Sequence, residues 1–308
     1  MKHTILLNEK ISKTAINYLK ENNIEIKNGV SFDEEGLIKE LEDCDGIIVR
    51  TIKVNKKIIE NSPRLKLIAK HGSGLDSIDL NCAKEHNITV VDAKGANANS
   101  VAEHTIALML MCARKINYVC NEYKNGNYFC KDNDDIFELK EKTLGLIGCG
   151  NVAKKVAYIA AKGFNMKTVS YDPFVKDLSD CEKITMENSI DELLKKSDIV
   201  SIHVPGTKEN NNLINIEKLK LMKKSSILIN TSRGNVVNHD DLLYAINNKM
   251  ISCAGLDVTY PEPLNKESEL FKCNNIIITP HCGAASKETI EKTGMIIAKK
   301  IIDYFNNI

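Results

Sequence analysis

The chain has 308 residues, with 42 Lys+Arg against 41 Asp+Glu for a formal net charge of +1. Its 43% hydrophobic and 27% charged residues are ordinary for a globular chain of about two domains, and the balanced charge excludes a general electrostatic case for a nucleic-acid or membrane-surface partner. The apolar run at residues 5–7 is too short for an export signal, and the stretch 105–113 falls far short of the roughly 20 residues that span a bilayer. The ten cysteines show neither a CxxC pair nor a Cys/His zinc spacing, so no metal is expected. They read as reduced, mostly buried thiols of a cytoplasmic protein.

In chain order, strand-like runs fall at 4–7, 24–27, 46–50, 65–70 and 89–91, with helical patterns at 10–21, 32–43 and 55–61 between them. Such alternation predicts a parallel sheet covered on both faces. A cap-rich segment, Asn97 to Ser100, then opens a long helical stretch from Val101 to about Asn125, apolar enough in its first half to be buried on most sides. A second alternation follows, with strands at 143–147, 167–171, 199–204, 227–230, 253–256 and 276–279. Its helices lie at 152–162, 191–196, 217–223 and 240–248, and Ser189 with Glu192 forms a capping box before the second of them. A helical run at 287–305 closes the chain. The expectation is an α/β fold of two doubly wound parallel-sheet units with a boundary near residue 95, the pattern leaving open whether the closing helix returns to the first.

The segment Thr143-Leu-Gly-Leu-Ile-Gly148-Cys-Gly150-Asn151-Val152-Ala153 is a strand, a glycine turn and a helix start. Gly148 suits the tight turn, Gly150 lets a pyrophosphate approach the backbone, and the helix N-terminus offers free N–H groups. Ala153 takes the third position of the G-x-G-x-x-G/A pattern. Asp172, at the end of the next strand, is placed to accept from a ribose 2′-OH and to repel a 2′-phosphate, which favours NAD. A purely structural glycine turn is the competing reading, weakened by the strand, helix and acid around it.

Ligands of open α/β sheets bind beyond the carboxyl ends of the strands. Those ends carry His203-Val-Pro205-Gly206-Thr207, Thr231-Ser232-Arg233-Gly234, Asp257 with Glu262, and Pro280-His281-Cys282-Gly283. An Arg fork can hold a substrate carboxylate and polarise its carbonyl. A His can exchange the hydroxyl proton as hydride moves, and a carboxylate beside it fixes the ring and favours imidazolium. Arg233, His281 and Glu262 suit these roles. Singly, each could be a surface ion-pair partner, a helix-entry residue or a solvated turn residue; their common rim favours the site.

The runs GLIGCGNVAKKVA, YDP, HVPGT, NTSRG, GLDVTYPEPL and TPHCGAAS, preceded by KHGSGLDSIDL and NANSVAEH, resemble the D-isomer-specific 2-hydroxyacid dehydrogenases. That resemblance implies two Rossmann-like domains around a cleft, a flavodoxin-like substrate domain of residues 1–95 with 284–308 and an NAD-binding domain of residues 96–283. It also implies NAD as cofactor and a homodimer packed through the cofactor domain. It carries the catalytic Arg, Glu and His onto Arg233, Glu262 and His281. Cofactor contacts pass to Gly148, Gly150, Asn151, Val152, Asp172, His203, Pro205, Thr207, Thr231, Ser232, Asp257 and Gly283, with Asp257 near the nicotinamide carboxamide. Substrate contacts pass to Arg50, Ser73 and Gly74. The chain departs from the pattern in having no Trp, which puts the dimer arm near 123–130 in doubt, and in Lys94, which stands where a Pro is common. Nothing follows Ile308, so the regulatory domains of longer phosphoglycerate dehydrogenases, and serine feedback through them, are not expected.

Within the family the chain looks closest to the D-3-phosphoglycerate dehydrogenases of serine biosynthesis and to the hydroxypyruvate or glyoxylate reductases. Arg50, with Lys70 and His71 nearby, would suit a phosphorylated 2-hydroxy or 2-keto acid; D-lactate and branched keto acids stay open. Cys149 and Cys282 read as small packing residues in preference to redox groups. A different class also stays open, an NAD(H)-sensing corepressor-like protein on the same fold.

Overall fold

A computed structural model describes residues 2–132, 135–175 and 184–307, and among these residues two parallel sheets form. The first holds β1 (His3–Leu7), β2 (Ile24–Asn28), β3 (Gly46–Val49), β4 (Leu67–Lys70) and β5 (Thr89–Asp92) in the order β2-β1-β3-β4-β5. It belongs to a compact unit of residues 1–97 and 284–308. The second unit, residues 98–283, holds β6 (Thr143–Ile147), β7 (Lys167–Tyr171), β8 (Ile184–Met186), β9 (Ile199–Ile202), β10 (Ile227–Asn230), β11 (Cys253–Leu256) and β12 (Ile276–Ile278). Their order is β12-β11-β10-β9-β6-β7-β8. The α/β class of parallel sheets covered on both faces, expected from the alternation, is the one observed.

Period-two side-chain alternation splits each sheet into two cores. In the first unit Ile5, Leu7 and Ile48 pack with Ile297, Ala298 and Ile301 of the helix Lys287–Asn306, while Leu6, Ile47 and Val49 pack on the other face with Leu37, Leu41 and Ile58. In the second, Leu144, Leu146 and Ile227 meet Leu108 and Val156, and Val200, Ile202 and Leu228 meet Leu193 and Leu242. β3, β4, β9, β10 and β11 are buried at every residue, as central parallel strands must be.

Three details differ from the sequence reading. The long helix after Val101 is two helices, Ala98–Ala113 and Ile116–Lys124, separated where Lys115 turns left-handed at φ 48°. The first is a core helix and the second buries no residue, so the burial that sustains the first stops at the break. β8 was not expected; it is a three-residue edge strand with no apolar run to signal it. Short helices at Leu80–Glu85 and Glu269–Lys272 were also not expected. Of the capping box, the N-cap bond is present, Ser189 Oγ accepting from Glu192 N at 3.2 Å. Among the described residues no helix is long and apolar enough to cross a membrane, and no disulfide joins any two of the described cysteines.

Candidate active site

All strands of the second sheet are parallel, so the loops after β6, β7, β9, β10, β11 and β12 leave from one rim. After β6, Gly148 has φ 93°, and a Cβ there would lie 2.8 Å from the His203 carbonyl oxygen; only glycine fits. Gly150 is the opposite case. A Cβ on it meets nothing within 4 Å, and it caps the helix Asn151–Phe164 with no side-chain bond. Open space before a helix N-terminus suits a pyrophosphate. Asn151 is exposed there and Val152 half-buried. Asp172, after β7, accepts from Cys149 N at 2.8 Å and Phe174 N at 2.9 Å. The acid is thus tied to the glycine loop itself. Cys149 is buried, in keeping with a packing role.

After β9, His203 Nε2 lies 2.9 Å from Ser201 Oγ, and burial drives the imidazole down to about 3, so the ring is neutral. Pro205 and Thr207 are exposed beyond it. After β10, buried Asn230 organises the turn: its Oδ1 accepts from Ser232 N (3.0 Å) and Oγ (2.8 Å), and its Nδ2 donates to the Arg233 carbonyl (2.8 Å). Thr231 Oγ1 pairs with Thr105 Oγ1 at 2.9 Å. The hydroxyls of Thr231 and Ser232 are therefore engaged within the chain, and so are the Ser232 backbone N–H and carbonyl. Arg233 is half-buried and its Nη1 donates to the Ser232 carbonyl at 2.7 Å. Gly234 presses on the loop after β11, since a Cβ would come within 2.0 Å of the Thr259 carbonyl oxygen.

After β11, Asp257 is 2% exposed. Its Oδ1 accepts from Thr279 Oγ1 (2.5 Å) and Cys282 N (2.9 Å), its Oδ2 from Gly283 N (2.8 Å), and His104 Nε2 stands 3.2 Å away. Burial alone would raise its pKa, but these donors outweigh it and hold the carboxyl at about 2. Both oxygens, which the resemblance directs toward a carboxamide, are committed to the loop after β12. That loop carries His281 at φ 52°, left-handed for a non-glycine residue, with its N–H on the Asp257 carbonyl at 2.8 Å. The ring Nδ1 then meets Glu262 Oε1 at 2.7 Å. Nδ1 donates to the carboxylate, which leaves Nε2 to exchange a proton.

In the first unit, Arg50 is half-buried beyond β3, Nη1 donating to the Lys10 carbonyl at 2.8 Å. Ser73 Oγ donates to Asn97 Oδ1 at 2.9 Å and accepts from Gly95 N at 3.2 Å; Gly74 is half-buried beside it.

The model of the D-isomer specific 2-hydroxyacid dehydrogenase NAD binding domain matches residues 106–283. The chain belongs to this family. Among family members, a D-3-phosphoglycerate dehydrogenase of Archaeoglobus fulgidus is 38% identical over 97% of the chain and 56% of its own length. The chain thus spans little more than half of that relative. A hydroxypyruvate reductase of Thermotoga maritima is 36% identical over 97% of both chains. The solved structure of a D-lactate dehydrogenase from Aquifex aeolicus, complexed with NAD and lactic acid, superposes with a TM-score of 0.87 at 30% identity, covering 99% of this chain and 96% of that one. The family and its NAD-binding domain agree with the motif reading.

The structure joins His281 to Glu262, and Arg233 to the same rim through the contact of Gly234 with the loop carrying Glu262. Sequence reasoning missed Asn230, His104 and Thr279, which hold these loops. Asn230 ends a strand inside an NTSRG run, a polar residue where the buried pattern asks for an apolar one, and that was the available signal.

Proposed function

We propose that the chain is an NAD-dependent oxidoreductase moving hydride between the nicotinamide and C2 of a D-2-hydroxy acid or 2-keto acid. D-3-phosphoglycerate is the favoured substrate, and the protein acts as a cytoplasmic homodimer. The His281–Glu262 pair, 2.7 Å apart on the rim that bears the glycine loop, carries this reading. Gly148, Gly150, Asn151, Val152 and Asp172 would hold the dinucleotide, with the loops at His203, Pro205, Thr207, Thr231, Ser232, Asp257 and Gly283 around it; bound NAD supplies the hydride acceptor or donor.

Glu262 orients the imidazole. In oxidation His281 Nε2 takes the hydroxyl proton as the C2–H bond breaks, and in reduction it returns that proton to the carbonyl oxygen. Arg233 holds the carboxylate and the C2 oxygen. Arg50, Ser73 and Gly74 serve the rest of the substrate. The resemblance of Arg50 to a substrate-facing arginine, with relatives named phosphoglycerate dehydrogenase, supports the phosphorylated substrate. Mostly buried cysteines, with no disulfide among the described ones, support a reducing compartment.

The test is NADH oxidation with hydroxypyruvate, phosphohydroxypyruvate, glyoxylate, pyruvate and 2-ketoisocaproate, for wild type and His281→Gln. Turnover should be highest with phosphohydroxypyruvate. The variant should lose roughly 100-fold or more in kcat, the scale of a general acid–base group, with NADH binding kept. Tight NADH binding without turnover on any acid would favour a sensor, and near-normal turnover by the variant would remove His281 from the chemistry.

A further inference from the structure

The first unit contains a second carboxylate system, at the loop that follows β3. Glu9, in the loop after β1, accepts from the backbone N–H of Arg50 (2.5 Å), Thr51 (2.8 Å) and Ile52 (3.3 Å) and from the Thr51 hydroxyl (2.6 Å). Successive N–H groups aimed at one point make an anion seat, and this seat is filled from within the chain. Burial raises the Glu9 pKa, but the Thr51 hydroxyl and the three amides outweigh it and hold the carboxyl below its ordinary range. Arg50 is also fixed on its other sides. Its Nη1 donates to the Lys10 carbonyl at 2.8 Å, and its own carbonyl accepts from Lys70 Nζ at 2.5 Å, which donates in turn to Ser77 Oγ at 2.9 Å.

We propose that Glu9 is a positioning residue for substrate recognition: it locks the Arg50–Thr51 loop so that the Arg50 guanidinium, and not the loop amides, is the group offered to the substrate's distal anion. This rests on the reading of Arg50 as substrate-facing. The physical case has two parts. A long side chain ordered before binding loses less freedom when the ligand arrives. And with a carboxylate already in the seat, an incoming carboxylate or phosphate is repelled from those amides and directed to the side chain. Without Glu9, three amides lose their acceptor and the loop must re-form its bonds elsewhere. The anion is held alike in ground and transition states, so the effect belongs in KM and not in kcat.

The experiment is steady-state kinetics of the full chain with its best keto acid, for Glu9→Gln, Glu9→Ala, Glu9→Asp, Arg50→Ala and the Glu9→Gln/Arg50→Ala double variant. Glu9→Gln should raise the keto-acid KM roughly tenfold, the equivalent of one charge-assisted contact, with kcat and the NADH KM close to wild type. Glu9→Asp should recover part of the loss, and this pair decides the matter if Glu9→Ala fails to fold. The double variant should be no worse than Arg50→Ala alone, because both changes remove one interaction. Fully additive losses, or an unchanged KM in Glu9→Gln while Arg50→Ala raises it, would overturn the role of Glu9. An unchanged KM in Arg50→Ala would instead remove the Arg50 reading beneath it, a failure distinct from that of Glu9.

Discussion

His203 is the clearest case of one residue setting a property of the protein. Its ring is neutral in the fold, with a value of about 3 against an ordinary 6.5. A folded-state pKa below the unfolded one means that stability is fully present above pH 6.5 and is lost as the pH falls toward 3. The unfolded chain binds the proton that the native chain refuses. Wild type should therefore lose stability relative to His203→Gln as the pH falls below 6.5, on the order of 1 kcal/mol per pH unit. Urea midpoints of the two proteins between pH 7 and 5 check this, and parallel curves would show that the ring is solvated.

At the scale of elements, the site is made by loops that press on one another. The turn after β10 and the loop after β11 meet at Gly234, where any side chain would strike the Thr259 backbone. Gly234→Ala should cost about 1–3 kcal/mol, the usual range for overpacking, and should lower kcat further than that loss of stability explains, because Arg233 and Glu262 ride on the two displaced loops. Thermal melts with kinetics below the transition test the separation; wild-type kcat in a folded variant would sever the link. This scale also marks what the sequence could disclose. Strand positions, the glycine turn, Asp172 and the proton pair follow from local pattern, because each depends on residues near in sequence or on a strand end. The break at Lys115, the edge strand β8 and the inward turn of the Thr231 hydroxyl onto Thr105 depend on the wider fold, which no local window contains. Glu9 belongs with them, 41 residues from the amide it holds.

For the whole molecule, the helix Ile116–Lys124 buries none of its residues, while Ile116, Tyr123, Tyr128 and Phe129 stand exposed and the last three rings pack edge to face. Clustered aromatic surface of this kind is what protein interfaces cover. Sedimentation should show a dimer, and Tyr123→Glu with Phe129→Glu should shift it toward monomer with the fold intact; a wild-type monomer at micromolar concentration would count against it.

The left-handed backbone at His281 has a broader consequence. A residue with a β-carbon held there forfeits about 1 kcal/mol that glycine would keep, and the acceptors on Asp257 maintain the turn regardless. Under selection for heat resistance alone, this position should drift to glycine. Given the proton-exchange role proposed for His281, an imidazole that persists there in a lineage would report that turnover is still being selected, and a sequence that had abandoned catalysis for sensing would betray itself first at this one codon.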